Sequence, residues 1–282
     1  MDVLADERSS HANADAKSAV LGSHDRLSSS PLFRRSTKHL ADGGKDSGGG
    51  TWKKKEGGGN GTGTFTNTLV LLDYDDTLFP TTELVHLAQE RGEKDITGAV
   101  ASIAESMTEE ALRAWRKHDR QAARLVGALV RSGAKVRVVT NAAPGWIEAT
   151  GTVLLPLTMR RMNHMGVPYE SARVHQVEDE TVTSESLVGW KRKAFTPILE
   201  TSAPQHIVCM GDSYVEHEAL RRVVGDKQGD SKDAIRKSFV WFQREPCICM
   251  LARQLHCVRS VLSTLLASTE PEAHFHLRPE KK

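Results

Sequence analysis

Short, uninterrupted apolar runs separated by helical patterns constrain this chain more than any other feature. Thr68-Leu69-Val70-Leu71-Leu72, Val136-Arg137-Val138-Val139, His206-Ile207-Val208-Cys209-Met210 and Phe239-Val240-Trp241-Phe242 are too short for buried helices, and they lack the alternation of a strand with one wet face. Such runs fit strands covered on both faces. Ser171-Ala172-Arg173-Val174-His175 reads as a further strand. A helix is expected from Thr108, an N-cap followed by Glu109 and Glu110. Leu112, Trp115, Ala122, Leu125, Val126 and Leu129 then recur at helical spacing before Ser132-Gly133 stops it. Another helix is expected from about Trp146 to Met165, and a last one carries Leu251, Leu255, Val258, Leu262 and Leu265 on one stripe. Strands alternating with helices specify βαβ units, hence an α/β fold with a Rossmann-like, doubly wound parallel sheet.

Composition sets the boundaries of that domain. Hydrophobic residues make up only 39% of the 282, so part of the chain lies outside any core. Ten of the 22 glycines fall between Gly43 and Gly63, among Lys53, Lys54 and Lys55. A segment of this kind buries too little apolar surface to offset its ordering entropy. Residues 1–66 are therefore expected to be a disordered low-complexity tail, 67–268 the folded domain, and 269–282 a flexible C-terminal tail. Arg34-Arg35-Ser36 in the first tail is a weak phosphorylation-like sequence.

The same arithmetic removes several classes of function. Lys and Arg number 38 against 36 Asp and Glu, and beyond residue 66 the two signs balance, so no nucleic-acid partner is expected. No run approaches a membrane span and no secretory leader stands at the start, so neither membrane nor export is expected. Four cysteines, Cys209, Cys247, Cys249 and Cys257, are too few and too clustered for a disulfide framework, which points to a reducing, cytoplasmic setting. Cys247, Cys249, His256 and Cys257 match no closed zinc spacing, and the three cysteines read as core thiols on an apolar segment.

Chemistry gathers where the strands end. In an open parallel sheet, ligands sit beyond the carboxyl ends of the strands. The first strand ends in Asp73-Tyr74-Asp75-Asp76-Thr77, the second in Thr140-Asn141, and the third in Gly211-Asp212-Ser213 with Glu216 a turn later. Any one of these fits a turn or helix cap, but the set converges on one crevice. Asp76 reads as a turn residue or as a group supporting the site residues, Thr77 as a capping hydroxyl, and His217 and Glu218 as exposed helix residues.

Those residues resemble the four motifs of the haloacid dehalogenase-like (HAD) hydrolase superfamily, in family order. The first is the apolar strand with Asp73-Tyr74-Asp75-Asp76-Thr77, the second the strand ending at Thr140, and the third a lysine. The fourth is Gly211-Asp212 with Glu216. The likeness covers roughly residues 67–245, and Trp190-Lys191 before Ala194-Phe195 is similar to a little-characterised eukaryotic branch.

The resemblance implies a magnesium-dependent phosphatase acting through an aspartyl-phosphate. Asp73 would be the nucleophile, and Asp75 would protonate the leaving oxygen and then deprotonate water. Lys191 would neutralise Asp73 and the phosphate, with Lys193 two residues away as the competing choice. Thr140 and Asn141 would hold phosphate oxygens. Asp73, Asp212 and Glu216, with the backbone carbonyl of Asp75, would supply the oxygen ligands that Mg2+ prefers. Asp75 argues against a dehalogenase, which has no need of the second carboxylate. The rival reading is an inactive phosphate-binding or scaffolding protein. Phe79 to about Met107 leaves room only for a minimal cap, and an open cleft suits a bulky phosphomonoester such as a phosphoprotein.

Overall fold

The computed structural model describes residues 65–227 and 234–279, with the backbone of 31–36. Six strands run parallel: β2 (Thr68–Leu72), β3 (Lys135–Thr140), β4 (Tyr169–Ser171), β5 (His206–Gly211), β6 (Arg236–Trp241) and β7 (Glu272–Pro279). The sheet order is β1-β7-β6-β5-β2-β3-β4, with β1 (Pro31–Ser36) antiparallel to β7 at one edge. The chain therefore winds from β2 outward through β3 to β4, then returns to the other side of β2 and winds away through β5, β6 and β7. The direction reverses between β2 and β5, and in such sheets the crevice at the reversal is where ligands bind.

Both faces of the sheet are covered, as the apolar runs require. Val70 and Leu72 face one core, which takes in α1 (Thr81–Glu90), α2 (Ile96–Glu105), α3 (Glu109–Arg131), α4 (Trp146–Leu154), α5 (Pro156–His164), α8 (Ile248–Ser260) and α9 (Leu262–Leu266). Leu69 and Leu71 face the other, packed by α6 (Ser184–Ser202) and α7 (Tyr214–Lys227). The α3 helix starts where its N-cap indicates, with the Thr108 hydroxyl accepting from the Ala111 amide at 3.2 Å. It ends before Gly133, whose φ of 89° favours glycine. Among the described residues no helix is long and apolar enough to cross a membrane.

Four expectations need correction. The helix from Trp146 to Met165 is two helices, because Pro156 cannot continue one and excludes helical backbone at Leu155 (φ -124°, ψ 50°). The new start is capped from afar: buried Asp119 of α3 accepts from the Leu157 and Thr158 amides at 2.9 Å each. The strand at Ser171–His175 is instead the end of β4 followed by a 3-10 turn over Ala172–His175. The 269–282 tail is largely β7, a strand with Ala273, Phe275 and Leu277 buried in the first core. Within the 1–66 tail, Pro31–Ser36 pairs with that strand; Arg34, Arg35 and Ser36 lie on it, and the rest through residue 64 falls outside the described residues.

Burial also sets a pH limit. His118 of α3 is fully buried with Nε2 bonded to the Leu78 carbonyl oxygen at 2.9 Å, and burial pushes its pKa down to about 4. A histidine depressed in the folded state contributes stability that is complete above its unfolded value of roughly 6.5 and lost as pH falls toward that lower value. Unfolding free energies measured across this window should fall with a slope that His118→Gln reduces by about one proton. A slope shared by both proteins would contradict this.

Candidate metal centre

Three carboxylates meet at the reversal point. Asp73 follows β2, Asp212 follows β5, and Glu216 lies in the first turn of α7; one oxygen from each lies within 4.8 Å of the others. Asp73 and Glu216 are buried and Asp212 is half-buried. Glycine makes this possible: a Cβ on Gly211 would come within 2.8 Å of Glu216 Oε2, so its absence lets that carboxylate fold back over the end of β5. Ser213 holds the same Oε2 by donating its hydroxyl at 2.7 Å.

One buried cation serves the group. Lys191 of α6 donates to Asp73 Oδ1 at 2.5 Å and to the Val139 carbonyl at 2.6 Å, and its Nζ stands 3.2 Å from Glu216 Oε1. Lys193 is exposed and donates to the His175 carbonyl at 3.4 Å, so the geometry singles out Lys191 as the partner of Asp73. Burial alone would push Lys191 down, but Asp73 and Glu216 outweigh it and hold the ammonium charged. Burial drives Asp73 well above the usual carboxylate range despite Lys191, and Asp212 rises for the same reason with Glu216 and Asp73 adding to it. Glu216 moves the other way: Lys191 and the Ser213 hydrogen bond overcome its burial. A buried site with three carboxylates and one lysine is short of positive charge.

Asp75 is held apart from the trio. Thr140 donates its hydroxyl to Asp75 Oδ2, while Trp146 Nε1 at 2.8 Å and Thr81 Oγ1 at 2.6 Å both donate to Oδ1. Thr140 Oγ1 also accepts from the Ala142 amide at 2.8 Å. The structure thus brings Thr140 to Asp75, whereas the sequence suggested a phosphate contact. Asn141 donates to the Leu187 carbonyl at 3.4 Å. Trp146 is the functional candidate that sequence reading missed: it opens α4 six residues after Thr140, and nothing in that spacing shows that its indole turns toward Asp75. Trp146→Phe keeps the ring contact with Phe79 but removes the indole donor to Asp75, and should lower the unfolding free energy by about 1 kcal/mol. Unchanged stability would show that the bond contributes nothing to holding Asp75.

Neighbouring residues take other work. Asp76 adopts left-handed backbone (φ 49°) and accepts from the Thr82 amide at 3.0 Å and its hydroxyl at 2.5 Å, which tethers the start of α1. Burial raises its pKa to about 6. Thr77, expected to cap, is buried, and its hydroxyl has no hydrogen-bond partner among the described residues. His217, expected to be exposed, is buried, its ring centroid 3.8 Å from that of Trp241 and 5.2 Å from that of Phe239. Burial lowers its pKa to about 3. Glu218 is half-buried and pairs with Arg222 at 2.9 Å. Cys247 and Cys249 are exposed, so they are not core thiols, and the acidic trio is the one metal-capable cluster among the described residues.

No protein-family model matches the chain, and neither a curated protein nor a solved structure does so.

Proposed function

We propose that the chain is an HAD-type phosphomonoesterase that uses Mg2+ and passes through an aspartyl-phosphate on Asp73. The observation that carries this reading is the meeting of Asp73, Asp212 and Glu216 around Lys191, beside an Asp75 that is held separately. The donor set is all oxygen, which suits a hard divalent cation, and the excess of carboxylate over lysine charge is the deficit such a cation would fill. Asp73, Asp212 and Glu216 would hold it; when bound, it would offset charge on the phosphoryl oxygens and draw them into line.

The chain's own residues then divide the work. The Asp73 carboxylate attacks phosphorus and the ester oxygen departs, so one difficult displacement becomes two easier ones. Lys191 keeps Asp73 and the incoming phosphate from repelling each other. Asp75 gives a proton to the departing oxygen, then takes one from the water that cleaves the acyl phosphate. Thr140, Thr81 and Trp146 fix the carboxylate for both transfers. Between β2 and α3 lie only α1 and α2, a small insertion that supports the reading of a bulky substrate, a phosphoprotein included.

The test is hydrolysis of an aryl phosphate, phosphometabolites and phosphopeptides with Mg2+ and with chelator. Turnover should require the metal. Turnover indifferent to chelation, or none on any substrate, would overturn the reading, the latter leaving a phosphate-binding protein.

A further inference from the structure

Charge nearly balances over the chain, yet it is sorted on the surface. α3 packs against both α5 and α8, on the face of the sheet opposite α6 and α7. Beyond the first turn of α3 every exposed side chain is basic: Arg113, Arg116, Lys117, Arg120, Arg124 and Arg131. Positions three, four, seven, eleven and eighteen residues after Arg113 fall on one stripe of a helix, a ridge about 27 Å long. The neighbouring helices extend it, since α5 carries Arg160 and Arg161, α8 carries Arg253 and Arg259, and neither holds an acid. The acids of α3 are Glu109 and Glu110 in its first turn and buried Asp119, which is committed to the α5 amides.

The ridge lacks internal compensation. Arg116 pairs with Glu109 at 3.3 Å, but Arg113, Lys117, Arg120, Arg124 and Arg131 have no acidic partner among the described residues. Two guanidinium groups even converge: a Cβ on Gly127 would stand 2.6 Å from Arg161 Nη1 and 2.9 Å from Arg131 Nη1. Like charges gathered over one glycine repel unless an anion lies between them. Neither α3 nor α8 exposes a large apolar side chain, whereas a protein interface is centred on such anchors and a membrane surface takes an apolar wedge. A polyanion of phosphates needs only the cations, and the planar fork of arginine fits phosphate oxygens. The expectation of no nucleic-acid partner came from summed charge, which is blind to where the charges sit.

We infer that the outer face of α3, α5 and α8 binds the phosphodiester backbone of a nucleic acid through charge, without reading its bases. The ridge shares no residue with the carboxylate site, so this binding is independent of the phosphatase reading. Fluorescence anisotropy of the full chain, with chelator present, would use a labelled strand of about 20 nucleotides and the corresponding duplex, at salt from about 50 to 200 mM. Six contacts give a slope of log affinity against log salt of about −4 on the strand and about −5 on the duplex. The tighter of the two identifies the form bound. Replacing Arg113, Arg120 and Arg124 together by Gln should flatten the slope on the strand by about 2, and Arg131→Gln with Arg161→Gln by about 1.4. Lysine at the first three positions keeps the charge and should keep the slope. Lys193→Gln, on α6 across the sheet, should leave the affinity unchanged. No binding at low salt, an affinity indifferent to salt, slopes untouched by both glutamine variants, or an equal loss in Lys193→Gln would overturn the proposal. Tighter binding to poly-glutamate or to phosphatidylserine vesicles than to either nucleic acid would overturn it in favour of an acidic protein or a membrane.

Discussion

Under the proposed mechanism Asp73→Asn should lower kcat by about 10⁴-fold or more on every substrate, aryl and alkyl alike, because the amide cannot attack phosphorus. The fold should survive. Asp73 is a buried carboxylate whose burial already disfavours its charge, so an amide of the same shape removes a desolvation cost while Lys191 keeps Glu216 at 3.2 Å. Thermal unfolding without metal should therefore occur at the wild-type temperature or above it. The stabilisation by Mg2+ should shrink, because one of its three carboxylates is gone. Comparable turnover in Asp73→Asn and wild type would remove Asp73 as nucleophile.

Lys191→Met should have the largest effect on stability, about 3–5 kcal/mol in the metal-free protein. The ammonium is fully buried and is the cation bonded to Asp73 and Glu216, and its loss leaves carboxylates without compensation in a dry site. Mg2+ should return part of that loss, since a divalent cation offsets the same charges. Lys193→Met, at the surface, should change stability by no more than about 0.5 kcal/mol. Urea unfolding of the three proteins, with and without Mg2+, measures all of this. Equal effects of the two lysine substitutions would contradict the assignment.

The parts of the fold legible in the sequence are those under the strongest constraint. Strands buried on both faces must be apolar throughout, so β2, β3, β5 and β6 stood out as runs, and the residues just past β2, β3 and β5 were marked as chemical by their position. β7 escaped because it lies next to the sheet edge, where alternate positions carry Glu272, His274 and His276 and dilute the apolar signal of Ala273, Phe275 and Leu277. The break at Leu155 depends on Pro156 together with a cap from Asp119, a contact 38 residues away in sequence that no local pattern displays. Burial of His217 depends on Phe239 and Trp241 of β6, which no helical pattern in α7 reveals.

The site divides in the same way. Asp73, Asp212 and Glu216 converge because each follows a strand at the reversal point or sits one turn beyond it. The choice between Lys191 and Lys193 turned on which face of α6 meets the sheet, a question of packing: Lys191 is buried against Val139 and Asp73 while Lys193 is exposed. The contacts of Thr140 and Trp146 with Asp75 are side-chain geometry, 65 and 71 residues apart in sequence, and no spacing rule reaches them.

The measurement closest to the central claim is direct capture of the covalent intermediate. Protein mixed with an aryl phosphate and Mg2+ is quenched in acid during turnover, digested, and its peptides weighed. A phosphoryl group should appear on Asp73, disappear on treatment with hydroxylamine as an acyl phosphate does, and be absent when Mg2+ is chelated. Hydrolysis that proceeds with no phosphoryl group on Asp73, or with the group on another residue, would contradict the account.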